Sequence, residues 1–338
     1  MSSTPSNFLN AATCADPSPP GCETEFPVRD YDLAATLTSG QVFRWQPVGD
    51  SWEGVVGSNW VRMQPTPGGL RATTAVAQAD WSWLRHFLQT EADLGAVLAT
   101  FPEDEPMRRA VAAWRGLRLL RQDPWECLAS FILSSTKQIV QIRQIVATLC
   151  RRFGAPISVP QGKAAAFAFP TAHRLARAGE SELRDCKMGF RAPYLRAVSK
   201  EVADGRLNLE ALRAMPLAEA RQRLTALPGV GKKIADCVLL FACGQRTAFP
   251  LDVWVIRALR QLYFRGRAVP LARLQDFAAN HFGPNSGYAQ QYLFHYLRTK
   301  LPQRETIGQR GRAQPARVPR ARKPKKFRRL IAASQPFP

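Results

Sequence analysis

The sequence of 338 residues contains no pair of cysteines at C-x-x-C spacing and no cysteine after Cys243. Its seven cysteines are odd in number, so neither a disulfide framework nor a zinc ribbon is predicted, and buried thiols are expected. No uncharged apolar run is long enough for a transmembrane helix. Residues 1–27 lack the basic and apolar regions of a secretion signal, so we expect a flexible leader on an intracellular protein.

Acidic residues are scarce. The chain has 26 Asp and Glu against 47 Lys and Arg, a formal charge of +21. Residues 303–338 hold eleven of the basic residues and one acidic residue, are rich in proline and are predicted to be disordered. A basic body with a basic tail favours nucleic acid as the partner over an anionic membrane surface. The tail fits a nuclear signal or a DNA tether, and the tether is favoured because binding phosphates needs no fixed structure.

Strand-like patterns precede helical ones along the chain. Residues 41–45 and 52–56 are rich in β-forming side chains, and turn sequences punctuate residues 28–75. Helical periodicity begins near residue 78, with a polar break at residues 134–138 inside an amphipathic stretch. The sequence therefore predicts an α+β fold that is mainly α. Its predicted parts are a leader (1–27), an antiparallel β-sheet domain (28–115), a helical catalytic domain (116–302) and a basic tail (303–338).

The most informative segment is 227–237, which reads Leu-Pro-Gly-Val-Gly-Lys-Lys-Ile-Ala-Asp-Cys. Proline together with Gly229 and Gly231 predicts a tight turn between a helix ending near Ala226 and one beginning near Lys232. Such a turn presents backbone N–H groups at a helix N-terminus, where a phosphate binds well. This is a helix-hairpin-helix pattern. Taken alone, it supports a plain DNA-binding module as well as an enzyme.

Lys233 and Asp252 add the possibility of catalysis. Lys233 falls in the first turn of the second helix, and Asp252 falls at a predicted helix start. A lysine amine attacks a sugar carbon only when neutral, and a helix N-terminus disfavours the cation by only about 0.3–1 kcal/mol. Burial in an apolar pocket is therefore expected to contribute more. Asp252 would stabilise the sugar cation and shuttle protons. Alternatively, Lys233 contacts a phosphate as Lys232 does, and Asp252 only caps a helix.

Residues 30–301 resemble the 8-oxoguanine DNA glycosylase branch of the helix-hairpin-helix (HhH-GPD) superfamily. The resemblance rests on segments in the family's order, namely 37–45, 119–128, 188–194, 227–237, 249–253 and 287–290. It implies a glycosylase and abasic-site lyase that acts on double-stranded DNA containing a damaged purine, and we expect no required cofactor and no membrane partner. One active site with one hairpin suits a monomer. An endonuclease III-type iron–sulfur cluster is not expected, because its C-terminal cysteines are missing.

The resemblance also implies roles for individual residues. Lys233 matches the Schiff-base lysine and Asp252 the catalytic aspartate. The base-recognition positions are Gly40, Gln290, Cys237 and Phe294. The carbonyl of Gly40 would sense the N7 hydrogen of 8-oxoguanine, Gln290 would read the Watson–Crick edge, and the other two would sandwich the base. Carbonyl groups match a site for a structural sodium, potassium or calcium ion at Thr225, Leu227 and Val230.

The implied DNA contacts include several departures from the family pattern. The contact positions are Gly229, Gly231, Arg191, Phe190, Thr136, Lys137 and Gln141. Among them, Arg191 keeps the second of the two arginines that the family places against the orphaned cytosine. Thr136, Lys137 and Gln138 replace an asparagine run, and Gln141 replaces an arginine that faces the orphaned cytosine. Phe190 replaces a tyrosine wedge, and Trp254 stands where a phosphate-contacting histidine is usual. Recognition of the damaged base is therefore expected, while the requirement for cytosine opposite the lesion is left open.

Two other functions remain open at this point. A 3-methyladenine-type glycosylase would share the hairpin and the aspartate, but would not usually carry a lysine at position 233. A catalytically inactive DNA-binding protein would use the hairpin and the tail alone. The expected location is the cytoplasm and nucleoid in a bacterium, or the nucleus in a eukaryote.

Overall fold

Five antiparallel strands open the described part of the chain, which in this computed structural model comprises residues 22–134 and 138–300. The strands are β1 (Glu23–Pro27), β2 (Trp45–Val48), β3 (Ser51–Val56), β4 (Asn59–Thr66) and β5 (Gly69–Thr74). Their order in the sheet is β1-β5-β4-β3-β2, so short turns join every neighbouring pair except β1 and β5. The predicted antiparallel sheet is thus confirmed.

Strand β1 corrects the prediction that residues 1–27 form a flexible leader. Its residues pair with β5, with Phe26 opposite Leu70. Phe26 is buried beneath the sheet, whereas its neighbours in β1 are mostly exposed. One apolar residue in a polar segment gives only a weak pattern, and composition therefore missed the strand. Residues 1–21 and 301–338, which include nearly all of the predicted leader and the whole basic tail, lie outside the described residues.

The segment before β2 is a loop, although residues 41–45 were predicted to form a strand. Its conformation is fixed by the buried side chain of Gln41. The Nε2 atom donates hydrogen bonds to the carbonyl oxygens of Thr36 (3.0 Å) and Arg118 (2.8 Å). The Oε1 atom accepts one from the backbone N–H of Leu120 at 2.8 Å. These bonds reach across the fold, so local β propensity did not decide the structure.

The remaining chain is mainly helical. Its helices are α1 (Leu33–Thr38), α2 (Ser82–Leu88), α3 (Leu94–Leu98), α4 (Glu105–Ala113), α5 (Pro124–Leu133), α6 (Ile139–Phe153), α7 (Ala172–Arg177), α8 (Glu180–Leu183), α9 (Ala192–Ala203), α10 (Leu217–Thr225), α11 (Lys232–Phe241), α12 (Val253–Tyr263), α13 (Leu271–His281) and α14 (Ser286–Lys300). A small ribbon pairs β6 (Pro156–Ile157) with β7 (Ala166–Phe167). The predicted polar break separates α5 from α6. No helix in the described residues is long and apolar enough to cross a bilayer.

The helices pack around α11, whose residues from Ile234 to Phe241 are all buried. Helix α5 lies against it, with the rings of Phe131 and Phe241 stacked at 5.6 Å. The core beneath the sheet includes Leu120 from the helical region, and sheet and helices form one compact unit. The predicted limits between the sheet domain, the helical domain and the tail therefore stay predictions. This packing fixes the first turns of α11 and α12, where Lys233 and Asp252 lie.

Candidate active site

The predicted helix-hairpin-helix lies at the turn between α10 and α11. Gly229 has φ +77°, and a Cβ there would come within 2.7 Å of the Tyr194 ring. Gly231 precedes the first residue of α11 in an extended conformation. Both glycines are exposed. The turn therefore offers a helix N-terminus that a DNA phosphate can reach.

A buried ion pair braces this hairpin. Arg221 on α10 bonds to Asp236 on α11, with 2.7 Å between Nε and Oδ1. The carboxylate is almost fully buried, and burial raises its pKa while Arg221 lowers it. The pair holds the two helices at a fixed spacing. No local sequence pattern indicates this pair.

Lys233 lies in the first turn of α11 and is half-buried. Its Nζ atom donates a hydrogen bond to Ser134 Oγ at 3.2 Å and lies 5.1 Å from the centre of the Phe131 ring. The predicted burial in an apolar pocket is thus partial, because one side of the amine meets an aromatic face and another meets a hydroxyl. The neighbouring Lys232 is exposed. The two lysines therefore occupy different environments, and only Lys233 is directed against α5.

Asp252 precedes α12 and caps it. Its Oδ1 atom accepts hydrogen bonds from the backbone N–H groups of Trp254 (3.0 Å) and Val255 (2.8 Å). Burial raises the pKa of Asp252, while these bonds and the positive charges of Lys233 and Arg298 act in the opposite direction. Asp252 therefore does cap a helix, which was the alternative to a catalytic role in the sequence analysis. Capping leaves the carboxylate within the electrostatic reach of Lys233, so capping and catalysis are compatible.

Gly40 and Phe294 meet at one side of this site. Gly40 has φ +82°, and a Cβ there would lie 2.9 Å from Ile139 Cδ1 and 3.4 Å from Phe294 Cε1. Phe294 projects from α14 and is partly buried. The fold thus brings together two residues that are far apart in the sequence. The lack of a side chain at Gly40 keeps the backbone open to a close approach.

Gln290 and Cys237 lie on the helices that flank the site. Gln290 is 3% exposed, and its Oε1 atom has no hydrogen-bond partner among the described residues. It lies one helical turn before Phe294, on the same side of α14. Cys237 follows Lys233 by one turn of α11, and burial raises the pKa of its thiol to about 12. That thiol is neutral near pH 7, so it suits a pocket wall and does not compete with Lys233 as nucleophile.

The predicted DNA contacts have mixed environments. Phe190 is 58% exposed, and the guanidinium of Arg191 lies 4.3 Å from the centre of its ring. Arg191 itself is 2% exposed, in a 3-10 turn before α9. Gln141 Oε1 accepts a hydrogen bond from Gln138 N at 3.0 Å and so caps α6. Thr136 and Lys137 lie outside the described residues. Phe190 is thus accessible to DNA in this conformation, whereas Arg191 is covered.

Sequence reasoning missed three residues beside the site. Ser134 and Phe131 contact Lys233, and Arg298 lies over the Phe294 ring with 5.2 Å between Cζ and the ring centre. Arg298 follows Phe294 by four residues, so the helical period was a usable signal for it. Nothing in the local sequence indicates that residues near 131–134 meet a lysine about a hundred positions later.

Comparison with known proteins agrees with this fold. Residues 24–128 match the family model for the N-terminal domain of 8-oxoguanine DNA glycosylase, and residues 129–275 match that for HhH-GPD superfamily base excision DNA repair proteins. N-glycosylase/DNA lyase OGG1 of Arabidopsis thaliana is 32% identical over 299 residues, covering 82% of this chain and 80% of the relative. The chain belongs to the 8-oxoguanine DNA glycosylase family.

Two further relatives match about four fifths of this chain. A probable N-glycosylase/DNA lyase of Methanothermobacter thermautotrophicus is 30% identical over 303 residues, covering 80% of this chain and 95% of the relative. The Clostridium acetobutylicum 8-oxoguanine glycosylase/lyase, in complex with double-stranded DNA containing cytosine opposite 8-oxoguanine, superposes with a TM-score of 0.75. It is 31% identical, and the match covers 79% of this chain and 92% of that one.

Proposed function

We propose that this chain excises 8-oxoguanine from duplex DNA and then cleaves the resulting abasic site by β-elimination. The observation that carries the proposal is the placement of Lys233. It lies at the N-terminus of the second hairpin helix and donates a hydrogen bond to Ser134. It also interacts electrostatically with the carboxylate of Asp252, which caps α12. Two relatives described as N-glycosylase/DNA lyase match this chain over most of their length. Their similarity supports both base excision and strand cleavage.

Recognition begins with the backbone and ends with the base. Phosphates dock at the exposed hairpin turn, and the lesion nucleotide rotates out of the duplex toward Gly40. Cys237 and Phe294 supply the walls on either side of the base. The Gly40 carbonyl accepts the N7 hydrogen that distinguishes 8-oxoguanine from guanine. The unpaired Oε1 atom of Gln290 accepts a hydrogen bond from the Watson–Crick edge, which removes the cost of its burial.

Base removal uses the neutral amine of Lys233. Its nitrogen forms a bond to C1′ as the bond from C1′ to N9 breaks, and the base leaves with that electron pair and takes up a proton. Asp252 stabilises the positive charge that develops on the sugar and accepts a proton from the amine. Burial of the carboxylate strengthens these interactions, because little water competes with them.

Strand cleavage follows from the same lysine. Opening of the sugar ring gives a Schiff base between Lys233 and C1′, which acidifies the hydrogen on C2′. Loss of that proton expels the 3′ phosphate in a β-elimination, and hydrolysis of the remaining imine frees the lysine. Removing the base without a covalent amine would not provide this step.

Selection of the opposite base is expected to be relaxed. Gln141 is occupied in capping α6, and Arg191 is covered in the conformation without DNA. Arg191 would reach an orphaned cytosine only after Phe190 has entered the duplex and uncovered it. We therefore expect the rates opposite the four bases to differ less than they would with two exposed arginines at these positions.

A structural cation is proposed at the hairpin. Thr225 is the last residue of α10, so its carbonyl has no partner within the helix. The Leu227 carbonyl accepts one bond, from Val230 N at 3.2 Å, and keeps a lone pair. With the carbonyl of Val230, these oxygens fit a sodium, potassium or calcium ion, which are bound by oxygen ligands. No step of the reaction depends on it, and the chemistry needs no other cofactor.

The basic tail is proposed to tether the enzyme to DNA without sequence preference. In a bacterium the enzyme would then act on the nucleoid, and in a eukaryote on nuclear DNA. One hairpin and one candidate active site suit a monomer.

The substrate is tested with four duplexes that carry 8-oxoguanine opposite each normal base, and a fifth that carries a methylated purine. We expect release of 8-oxoguanine together with strand cleavage. Release of only the methylated base, without cleavage, would favour the alkyl-base glycosylase. Tight binding with no base release from any duplex would favour the inactive DNA-binding protein.

A further inference from the structure

Arg298 lies at the rim of the candidate base pocket. It projects from α14 one turn after Phe294, and its Cζ atom lies 5.2 Å from the centre of that ring. Its Nη1 atom would lie 3.5 Å from a Cβ at Gly40. The guanidinium therefore borders the same space as two residues that are assigned to the damaged base.

This guanidinium is short of partners. The Nη1 atom of Arg298 and the Nε atom of Arg143 on α6 are both buried and have no hydrogen-bond partner among residues 22–134 and 138–300. Within those residues, neither arginine forms an ion pair with a carboxylate. Burial lowers the pKa of Arg298, with Asp252 opposing the shift and the positive charge of Arg143 adding to it. Arg143 lies one turn of α6 after Ile139, whose Cδ1 atom, like the Nη1 atom of Arg298, would lie near a Cβ at Gly40, so α6 and α14 both approach this position.

The carboxylate of Asp252 interacts electrostatically with Arg298, but the two form no ion pair in the described residues. The charge of Arg298 lowers the pKa of Asp252. The Oδ1 atom of Asp252, however, already accepts hydrogen bonds from Trp254 N and Val255 N in the first turn of α12. A buried guanidinium nitrogen without an acceptor is costly, and the cost is removed when an anion arrives. The planar fork of arginine fits the oxygens of a phosphate particularly well.

We propose that Arg298, together with Arg143, forms a phosphate-binding site that takes one of the two DNA phosphates flanking the extruded nucleotide. The site rests on the proposed function and deepens it, because its ligand is the backbone of the nucleotide that enters the pocket. Binding this phosphate anchors the sugar in front of Lys233 and favours extrusion of the base.

A competing explanation is that Arg298 acts only through Asp252. Its charge lowers the pKa of that carboxyl, so removing the charge would shift the acid side of the pH profile upward. That role needs no phosphate. The two explanations differ in whether the effect of replacing Arg298 depends on a phosphate charge in the DNA.

The test measures binding of 8-oxoguanine duplexes in which one flanking phosphate is a neutral methylphosphonate, on the 5′ or the 3′ side. Arg298→Met should weaken binding of the unmodified duplex by about 10- to 100-fold, as expected for a hydrogen bond to a charged group. With the methylphosphonate at the contacted position, wild type and variant should bind equally. Arg298→Lys should recover part of the loss, because it keeps the charge without the fork.

Two variants serve as controls. Arg206→Met removes one charge from an exposed arginine paired with Glu201 at 2.9 Å, and it should weaken all three duplexes slightly and equally. Arg143→Met should weaken binding less than Arg298→Met. Its effect should likewise disappear when the contacted phosphate is a methylphosphonate. It keeps the proposal testable if Arg298→Met does not fold.

Equal weakening of all three duplexes by Arg298→Met would overturn the phosphate site, as would unchanged binding. A shift of the acid limb without coupling to either phosphate would assign Arg298 to Asp252 instead. Excision of 8-oxoguanine by the wild type is scored separately. Coupling without excision would leave the phosphate site standing and refute the proposed activity, whereas excision without coupling would refute the site alone.

Discussion

The amine of Lys233 and the hydroxyl of Ser134 join two helices, with Nζ donating a hydrogen bond to Oγ at 3.2 Å. Ser134 follows the last residue of α5, and its hydroxyl donates to the carbonyl of Phe131 at 2.7 Å. The hydroxyl proton is thus committed to α5, and the oxygen is left to accept from the lysine. The side chain of Lys233 therefore has a defined direction before DNA binds, which reduces the entropy lost on reaching the reactive geometry.

Two substitutions of Asp252 separate its role as a helix cap from the role of its negative charge. Asparagine caps a helix as well as aspartate does, so Asp252→Asn should retain stability, whereas Asp252→Ala should lose about 0.5–2 kcal/mol in the free energy of unfolding. Because burial raises the pKa of Asp252 in the folded state, its ionisation at pH 7 destabilises the fold, and Asp252→Asn removes that penalty. Both variants should lose about 10²- to 10⁴-fold in single-turnover excision. Denaturant unfolding and excision rates measure the two effects.

The acid side of the wild-type pH profile follows from the same shift. Excision requires the carboxylate, so activity should fall as the pH drops through the raised pKa of Asp252, above the usual range for aspartate. If Asp252→Asn kept wild-type excision, the residue would be a cap only.

Gly40 is predicted to be intolerant of a methyl group. Its φ of +82° strains any other residue, and the added Cβ would lie 2.9 Å from Ile139 Cδ1. Gly40→Ala should lose about 1–3 kcal/mol of stability from backbone strain. Excision of 8-oxoguanine should fall by about 10- to 200-fold, as for one misplaced methyl(ene) group in a pocket. Gly57→Ala is the control, because Gly57 has φ +60° with nothing within 4 Å of the new Cβ. Equal excision by the two variants would remove Gly40 from base recognition.

Two adjacent glutamines on α14 should respond oppositely to replacement by leucine. Within the described part of the chain, the buried Oε1 atom of Gln290 has no hydrogen-bond partner, whereas Gln291 Nε2 donates to the Ser39 carbonyl at 2.9 Å. Gln290→Leu should maintain or raise stability, while Gln291→Leu should lose about 1–3 kcal/mol by leaving a buried carbonyl unpaired. Excision should fall about 10- to 100-fold in Gln290→Leu. A stability loss in Gln290→Leu as large as in Gln291→Leu would mean that Gln290 is structural.

Phe190 should matter for duplex DNA and not for folding. Its ring is 58% exposed, so Phe190→Ala should change stability by less than about 0.5 kcal/mol. Loss of stacking against the bases, worth about 1–3 kcal/mol, should reduce excision from duplex DNA by about 5- to 150-fold. Phe190→Trp should retain activity, because it keeps an aromatic face. Equal activities of the alanine and tryptophan variants would contradict the wedge.

The hairpin and the helix starts were predictable because their signals are local. Proline and glycine between two amphipathic stretches predicted the turn at 227–231, and Asp252 before an apolar run predicted the start of α12. Both helices begin at the expected residues. Local backbone preferences and side-chain caps decide such features within a few positions, so a single sequence suffices.

Long-range contacts account for what the sequence missed. The loop at Gln41 is fixed by bonds to residues about eighty positions away, and β1 is defined by pairing with β5. The hydrogen bond from Lys233 to Ser134 likewise joins residues that are 99 positions apart in the sequence. The partial burial of Lys233 depends on Phe131, which the lysine meets only when α5 and α11 pack together. Patterns of three or four residues carry no information about such pairs.

The most direct test of the central claim is borohydride trapping with 8-oxoguanine opposite cytosine, comparing wild type with Lys233→Gln and Lys232→Gln. The exposed Lys232 is the matched control, since it is a lysine in the same helical turn. The account predicts a covalent protein–DNA complex for wild type and Lys232→Gln at saturating enzyme, and none for Lys233→Gln. Trapping that persists in Lys233→Gln, or that is absent in wild type despite tight binding, would contradict it.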